Sequence, residues 1–183
     1  MNELLVKTRS AELSISTRDG KFIARYSERG LAGLNFPSRE ALVASTRLAE
    51  VGRRRKHREN GHIPTKILRW HRTTTTALKN VLAGREPKKI PPLDLSGGTT
   101  FQQNVWRALQ KISRGKTRSY GEIARRIGKP KAVRAVGGAC GANPIPIFIP
   151  CHRVLAADKK PGGFSGGLNW KLKLLALEGI SLQ

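Results

Sequence analysis

The stretch Ser119-Tyr120-Gly121-Glu122-Ile123-Ala124-Arg125-Arg126-Ile127-Gly128-Lys129-Pro130-Lys131-Ala132-Val133-Arg134-Ala135-Val136-Gly137-Gly138-Ala139-Cys140-Gly141-Ala142-Asn143 decides how this chain folds. Ser119 and Glu122 have the spacing of a capping box, so a short helix runs from about Ser119 to Ile127 and stops at Gly128. Pro130 suits the first turn of a second helix. Short helix, tight turn, helix is the pattern of a helix-turn-helix motif and also of any αα-hairpin; the basic composition favours the nucleic-acid-binding form.

In the second helix Val133, Val136 and Cys140 fall at i, i+3 and i+7, which predicts a buried stripe and makes Cys140 a small core residue. The other face carries Arg134, Gly137, Gly138 and Gly141. Each helical glycine costs about 1 kcal/mol relative to alanine. Several together are explained by the close approach of another backbone.

Working outward, Gly141-Ala142-Asn143-Pro144 ends that helix, and the run Ile145 to Ile149 reads as an extended, buried edge or irregular strand that delivers Cys151, His152 and Arg153 to a pocket wall. A cysteine beside a basic pair sits in a field that favours thiolate. Neighbours on an extended chain point to opposite sides, so His152 acts on Cys151 only through a turn or a bridging water. An orienting acid for His152 comes from Asp158 or Glu178, with Glu178 the better placed. The last helix, GGLNWKLKLLALEG, offers Leu168, Leu172 and Leu175 as its apolar stripe, with Lys171 and Glu178 in line beside it. Periodicity alone favours an exposed, ion-paired Glu178 over a functional one.

Upstream, Thr99 and Gln102 cap a helix whose inner positions are Phe101, Val105, Leu109 and Ile112. Pro87, Pro91, Pro92 and Gly97-Gly98 mark residues 85–98 as a linker, dividing the chain into units 1–92 and 93–183. A helix from Lys66 to Leu82, with Ile67, Leu68, Leu78, Val81 and Leu82 inward, stops at Gly84. Before it lie a helical stretch from Ser38 and a cluster, Arg53, Arg54, Arg55, Lys56 and Arg58, read as a solvated loop or helix end, or as a nuclear signal. Residues 1–36 alternate apolar and polar and break at Asp19-Gly20 and Arg29-Gly30, a hairpin or meander. The fold class is mixed α/β (α+β).

The 183 residues hold 35 Lys and Arg against 12 Asp and Glu, a formal charge of +23, with 20 basic and nine acidic residues in 1–100 and 15 and three in 101–183. That excess predicts a polyanionic partner contacted by both units. A mean hydropathy of −0.39 and the lack of a long apolar run argue against a membrane, and a soluble, cytoplasmic protein is expected. Two cysteines, Cys140 and Cys151, give no disulfide framework, and His57, His62 and His71 show no ligand spacing, so no metal is expected and these histidines read as solvated.

The stretch from Thr100 to Gly179 closely resembles the catalytic domain of the O6-alkylguanine-DNA alkyltransferases. The strongest match is Pro150-Cys151-His152-Arg153-Val154, preceded by GANPIPIFI. Phe101-Gln102 with Val105-Trp106, Ser119 to Ala124, Ala132 to Gly137, Ser165-Gly166-Gly167 and Leu174 to Gly179 follow in order. The resemblance implies DNA repair by irreversible, single-use transfer of an alkyl group from O6 of guanine, with O4 of thymine a second target, to Cys151.

By the same resemblance His152 is the base through a water, Glu178 orients it, and Asn143 ties the helix-turn-helix to the reactive segment. Tyr120, Val154, Ser165, Lys171 and Phe164 line the substrate site, Phe164 standing where many relatives have tyrosine. Arg134, Ala135, Gly137, Gly138, Arg153, Thr100 and Gln102 contact double-stranded DNA, the second helix entering the minor groove while the damaged base is flipped out. It also implies a ribonuclease-H-like N-terminal unit, a winged-helix/helix-turn-helix C-terminal unit, no cofactor, a monomer, and a nuclear location in a eukaryotic source. A non-catalytic alkyl-lesion-binding protein and a helix-turn-helix regulator gated by a Cys140–Cys151 disulfide are the alternatives; the presence of Cys151 opposes the first and the buried position of Cys140 the second.

Overall fold

Alternating residues from Ala11 onward form three antiparallel strands, β1 (Ala11–Thr17), β2 (Gly20–Tyr26) and β3 (Leu31–Asn35), in the order β1-β2-β3. The computed structural model describes residues 10–37 and 63–182. β1 and β2 pair from Ala11↔Tyr26 to Thr17↔Gly20, and Gly20, at φ 111°, allows the tight turn between them. Ile15, Phe22, Ala24, Tyr26, Leu31 and Leu34 are buried, so the predicted meander holds over these residues. The helical stretch from Ser38, the Arg53–Arg58 cluster, His57 and His62 lie outside the described residues.

Helix α1 (Thr65–Leu82) buries Ile67, Thr74, Ala77, Leu78 and Leu82. Leu68, expected inside, is 40% exposed. The inward line is set by Ile67, Thr74 and Leu78, which recur at helical spacing, and Leu68 falls one position off it. The Thr74 hydroxyl enters the core because it donates to the Trp70 carbonyl at 2.8 Å. His71, expected to be solvated, instead packs on Tyr26, with ring centroids 5.8 Å apart and Nδ1 3.2 Å from the tyrosine oxygen.

The proline-rich segment after α1 is pinned to the sheet. The Leu31 N–H donates to the Pro92 carbonyl and the Asp94 N–H to the Leu31 carbonyl, both at 2.8 Å, so this segment covers the free edge of β3. Farther along that edge Leu34 N–H donates to the Pro144 carbonyl. One continuous apolar cluster runs from the meander to the C-terminal helices.

Helices α2 (Thr100–Gln110) and α3 (Tyr120–Arg126) begin at the capping boxes read from the sequence, Thr99 with Gln102 and Ser119 with Glu122. The next helix starts later than expected. Residues 129–132 form a turn containing Pro130, and α4 runs from Val133 to Gly141 with Ala132 as its cap. Its buried stripe is Val136, Ala139 and Cys140, and Val133 is 41% exposed because it occupies the frayed first position. Trp106 of α2 donates from its indole N–H to the Ala139 carbonyl at 2.8 Å and fixes α4 in place.

Helix α5 (Leu168–Leu177) is turned relative to the expected stripe. Lys171, Leu174 and Leu175 face inward, while Leu168 and Leu172 are 46% and 40% exposed. With Glu178 these inward residues stand at i, i+3, i+4 and i+7, an unbroken helical face carrying two charges.

Gly98 supports the Trp106 anchor, since a Cβ at that position would run into the six-membered ring of this locked indole. Gly98→Ala is expected to cost about 1–3 kcal/mol by overpacking. At roughly 2–4 °C per kcal/mol for a chain of this size, a drop in Tm of several degrees should be seen by thermal denaturation.

Candidate active site

The site is built around the end of α4. Asn143, 6% exposed, donates from Nδ2 to the Ile149 carbonyl at 2.8 Å and to Cys151 Sγ at 3.0 Å, and its Oδ1 accepts from Ile145 N–H at 3.0 Å. The run from Ile145 to Ile149 is therefore wrapped around one amide side chain and is not the extended segment the sequence suggested. Ile149 N–H donates back to the Ile145 carbonyl, and Ile147 sits at φ 78°. A β-branched residue in that region stores about 1–3 kcal/mol of strain, held here by burial of every side chain from Ile145 to Pro150.

Cys151–Arg153 then form one turn of 3-10 helix, so Cys151 and His152 are not placed as neighbours on a strand. The strand pair that follows, Arg118–Ser119 (β4) parallel with Val154–Leu155 (β5), brings the start of α3, and with it Tyr120, beside the cysteine segment.

His152 is 1% exposed, and its Nε2 lies 3.0 Å from Glu178 Oε1. A carboxylate only accepts, so Nε2 carries the proton and Nδ1 the lone pair. Nδ1 is buried with no hydrogen-bond partner among the described residues. Burial holds the His152 pKa below its usual value against the pull of Glu178, which keeps the ring neutral.

Glu178, which periodicity had placed at the surface, is 5% exposed. Arg153 donates to it from Nε at 3.0 Å and from Nη2 at 2.8 Å, and Gly115 N–H donates to Oε2 at 3.2 Å. Burial would raise its pKa, but these donors and the neighbouring charges hold it down at about 2. Arg153 also donates to the Ile112 carbonyl, so the guanidinium proposed for a DNA contact is engaged inside the protein.

Cys151, 4% exposed, has its pKa raised, with burial outweighing the Asn143 hydrogen bond and the Lys171 charge. The thiolate expected from the adjacent basic pair is therefore not the resting state: Arg153 is spent on Glu178 and His152 is neutral. Cys140 is buried behind it, and its thiol is pushed up to about 12 chiefly by burial. Both cysteines are free. Lys171 is fully buried and donates from Nζ to the Val154 carbonyl at 2.6 Å, with its pKa lowered by burial.

Tyr120 is half-buried, and its pKa is raised, mainly by burial and then by the two cysteines. Its hydroxyl lies against Gly162, where a Cβ would stand only 3.0 Å away. Phe164 faces the His152 ring edge-on at 6.5 Å. Ser165 is exposed at the tip of the same loop. Arg134, Ala135 and Gly138 are exposed on the outer side of α4, and Gly137 is half-buried near Tyr120. Thr100 is exposed at the start of α2, whereas the Gln102 side chain is occupied by its cap. The structure thus brings Asn143, Cys151, His152, Glu178, Lys171 and Phe164 together.

One participant had no sequence signal. Phe36, just past β3, packs edge-on against Phe164 with ring centroids 5.6 Å apart and at a tilt against Trp170 at 4.9 Å, and a Cβ on Gly166 would meet its ring at 2.5 Å. The N-terminal unit thereby shapes the loop over His152. Among the described residues no group of three His, Cys, Asp or Glu side chains could hold a metal ion, and no helix is long and apolar enough to cross a membrane.

The raised Cys151 pKa makes a direct expectation. The pH midpoint for iodoacetamide labelling of native Cys151, followed on its peptide by mass spectrometry, should lie above that of a free thiol. Asn143→Ala should move it higher still, by removing a donor that favours thiolate. A midpoint at or below the ordinary value would refute the neutral resting thiol.

The family model described as "6-O-methylguanine DNA methyltransferase, DNA binding domain" matches residues 100–180. Proteins named methylated-DNA–protein-cysteine methyltransferase from Haemophilus influenzae and Mycolicibacterium paratuberculosis are 59% identical over 83 residues and 62% over 86. These matches cover 45% and 47% of this chain and 46% and 52% of the relatives, so they span about half of those proteins' length. A crystal structure of Mycobacterium tuberculosis OGT in complex with DNA aligns at TM-score 0.68 and 36% identity over 92% of both chains. The structure of the M. tuberculosis O6-methylguanine methyltransferase aligns at TM-score 0.67 over 93% of both.

Proposed function

The chain belongs to the O6-methylguanine-DNA methyltransferase family, and from that premise we propose that it repairs alkylated DNA by moving the alkyl group from O6 of guanine to Cys151 in a single-use reaction. The observation that carries this reading is a buried cysteine bonded to Asn143 and, next to it in sequence, a buried histidine bonded to Glu178, at the end of a helix whose outer face is small and exposed.

In the proposed reaction His152 Nδ1, through a water, takes the thiol proton as Sγ attacks the alkyl carbon. The Asn143 amide stabilises the sulfur's charge. Sγ–C forms while C–O6 breaks, the electron pair passes into the guanine ring, the Tyr120 hydroxyl and the Ser165 N–H donate hydrogen bonds to N3 and O6 where that charge collects, and the guanine anion takes up one proton from solvent on release. The carbonyls of Cys151 and Val154 hold the exocyclic amine, with Lys171 fixing the Val154 carbonyl. Protonation of His152 is supported by Glu178, which already accepts from Nε2. The thioether is stable, so each molecule acts once.

A base inside a duplex must be extruded first, at a cost of a few kcal/mol. Ala135, Gly137 and Gly138 let α4 lie close in the minor groove, and Arg134 fills the gap in the stack. In this reading α3 and α4 form the helix-turn-helix, residues 93–183 the transfer unit, and the meander with α1 a ribonuclease-H-like scaffold. The protein acts as a monomer. Arg134→Ala should slow transfer from duplex DNA roughly tenfold or more, the equivalent of about 1.4 kcal/mol, and leave transfer from the free alkylated base unchanged. Equal rates on duplex for both proteins would remove Arg134 from base extrusion.

The reading is tested by stoichiometry. Excess duplex containing O6-methylguanine is incubated with the protein and the remaining lesion is counted by chromatography. One lesion lost per protein molecule is expected; none lost with DNA still bound would overturn the reading, and continued turnover would exclude the single-use step.

A further inference from the structure

The outer side of α1 has no part in this chemistry, yet its composition is unusual. The helix contains no acidic residue, and Arg69, Arg72, Thr76 and Lys79 are exposed along one line opposite the buried Ile67, Thr74 and Leu78. From Arg69 to Lys79, at 1.5 Å per residue, this line is about 15 Å long. It continues into the exposed Arg85, Lys88 and Lys89. Two grooves, of about 260 and 500 Å³, share Arg85, Glu86, Lys88 and Lys89, and the larger is also lined by Arg72, Thr73 and Thr76. No described acid forms an ion pair with Arg69, Arg72, Lys79, Arg85, Lys88 or Lys89.

We propose that this strip binds the phosphate backbone of a second DNA duplex while α4 holds the first, an inference that rests on the DNA reading of α4. Guanidinium, ammonium and threonine hydroxyl groups are the usual phosphate contacts. Duplex DNA presents one charge per about 1.7 Å, so a strip of this length meets several phosphates. The smaller groove has apolar walls at Val81, Ile90, Phe148, Leu174 and Leu177, but the exposed line along α1 presents two arginines, a threonine and a lysine, which suits phosphate over an apolar peptide face. α1 packs on β1 and α5, whereas α4 packs on α2 and α3, so the two outer faces belong to different layers of the molecule. A repair protein holding two duplex segments can pass between them without release, which gives the +23 charge a use that one binding face leaves unexplained.

The test is a bridging assay with unmodified DNA: a bead-bound duplex, the full chain, and a labelled second duplex. The protein should carry the label to the beads. The variant Arg69→Ala/Arg72→Ala/Lys88→Ala/Lys89→Ala should lose at least fivefold of that capture, while binding the first duplex and transferring from a short alkylated duplex within twofold of the parent. The log–log salt slope of the captured duplex should fall by about 3–4, from four lost phosphate contacts. Capture equal to the parent's would overturn the inference and assign bridging to association between protein copies. First-duplex binding with no capture would also overturn it. Failure to bind any duplex would instead sink the reading of α4.

Discussion

Cys151→Ala is expected to abolish transfer and to leave duplex affinity within about twofold. No other group can take over, because Cys140 is buried in the α4 stripe with its thiol held up near 12. Binding should survive because the proposed DNA contacts, the exposed Arg134, Ala135 and Gly138, lie on the outer face of α4. The change deletes one buried sulfur and leaves Asn143 Nδ2 its second acceptor, the Ile149 carbonyl. The expected loss of stability is about 1 kcal/mol. Gel-shift titration and a transfer assay on the same preparation check this. Transfer retained by the variant would mean that the acceptor has been misassigned.

Glu178→Ala has the second largest effect because one carboxylate serves three donors. Its loss frees the His152 Nε2 proton, strands the Arg153 guanidinium in a site only 16% exposed, and unpairs Gly115 N–H. Breaking a buried ion pair from one side costs about 3–5 kcal/mol. On the proposed mechanism, loss of the fixed tautomer removes the base at Nδ1, and a drop in transfer rate of about 10²- to 10⁴-fold is expected in the same transfer assay. Glu178→Gln keeps an acceptor for Nε2 and should recover part of the rate but little of the stability.

The same carboxylate sets an acid limit. Its folded pKa of about 2 is below the ordinary value of 4.5, so its contribution is complete above about pH 4.5 and disappears as pH falls toward 2. The shift corresponds to about 3 kcal/mol. Parent and Glu178→Gln stabilities should therefore converge across that window in denaturant titrations at fixed pH. His152, held neutral by burial, adds destabilisation as pH drops below the usual histidine range in both proteins.

The parts of this fold legible from the sequence are those governed by local rules. Ser119 with Glu122 and Thr99 with Gln102 announce two helix starts, and strand alternation announces the meander. Interior charge is what misled. Taking Leu168, Leu172 and Leu175 as the stripe, with Glu178 at the surface, turned α5 part of the way around its axis, although Lys171, Leu174, Leu175 and Glu178 form the inward helical line. Each charge is tolerated inside through partners far along the chain, the Val154 carbonyl and the His152–Arg153 pair, which periodicity cannot see.

The same limit explains the reactive segment. Ile145 to Ile149 has the composition of a strand, but Asn143 supplies the donors and acceptor that coil it. The thiolate expectation failed because the sequence places Arg153 beside Cys151 while the fold turns it to Glu178. Phe36 reaches Phe164 only through the tertiary structure.

Peptide mass spectrometry after incubation with an O6-methylguanine duplex shows whether Cys151 takes the alkyl group. A single added methyl on the peptide holding Cys151, with the Cys140 peptide unmodified, is the predicted result. A methyl on any other residue, or an unmodified Cys151 peptide with the lesion gone from the DNA, would contradict it.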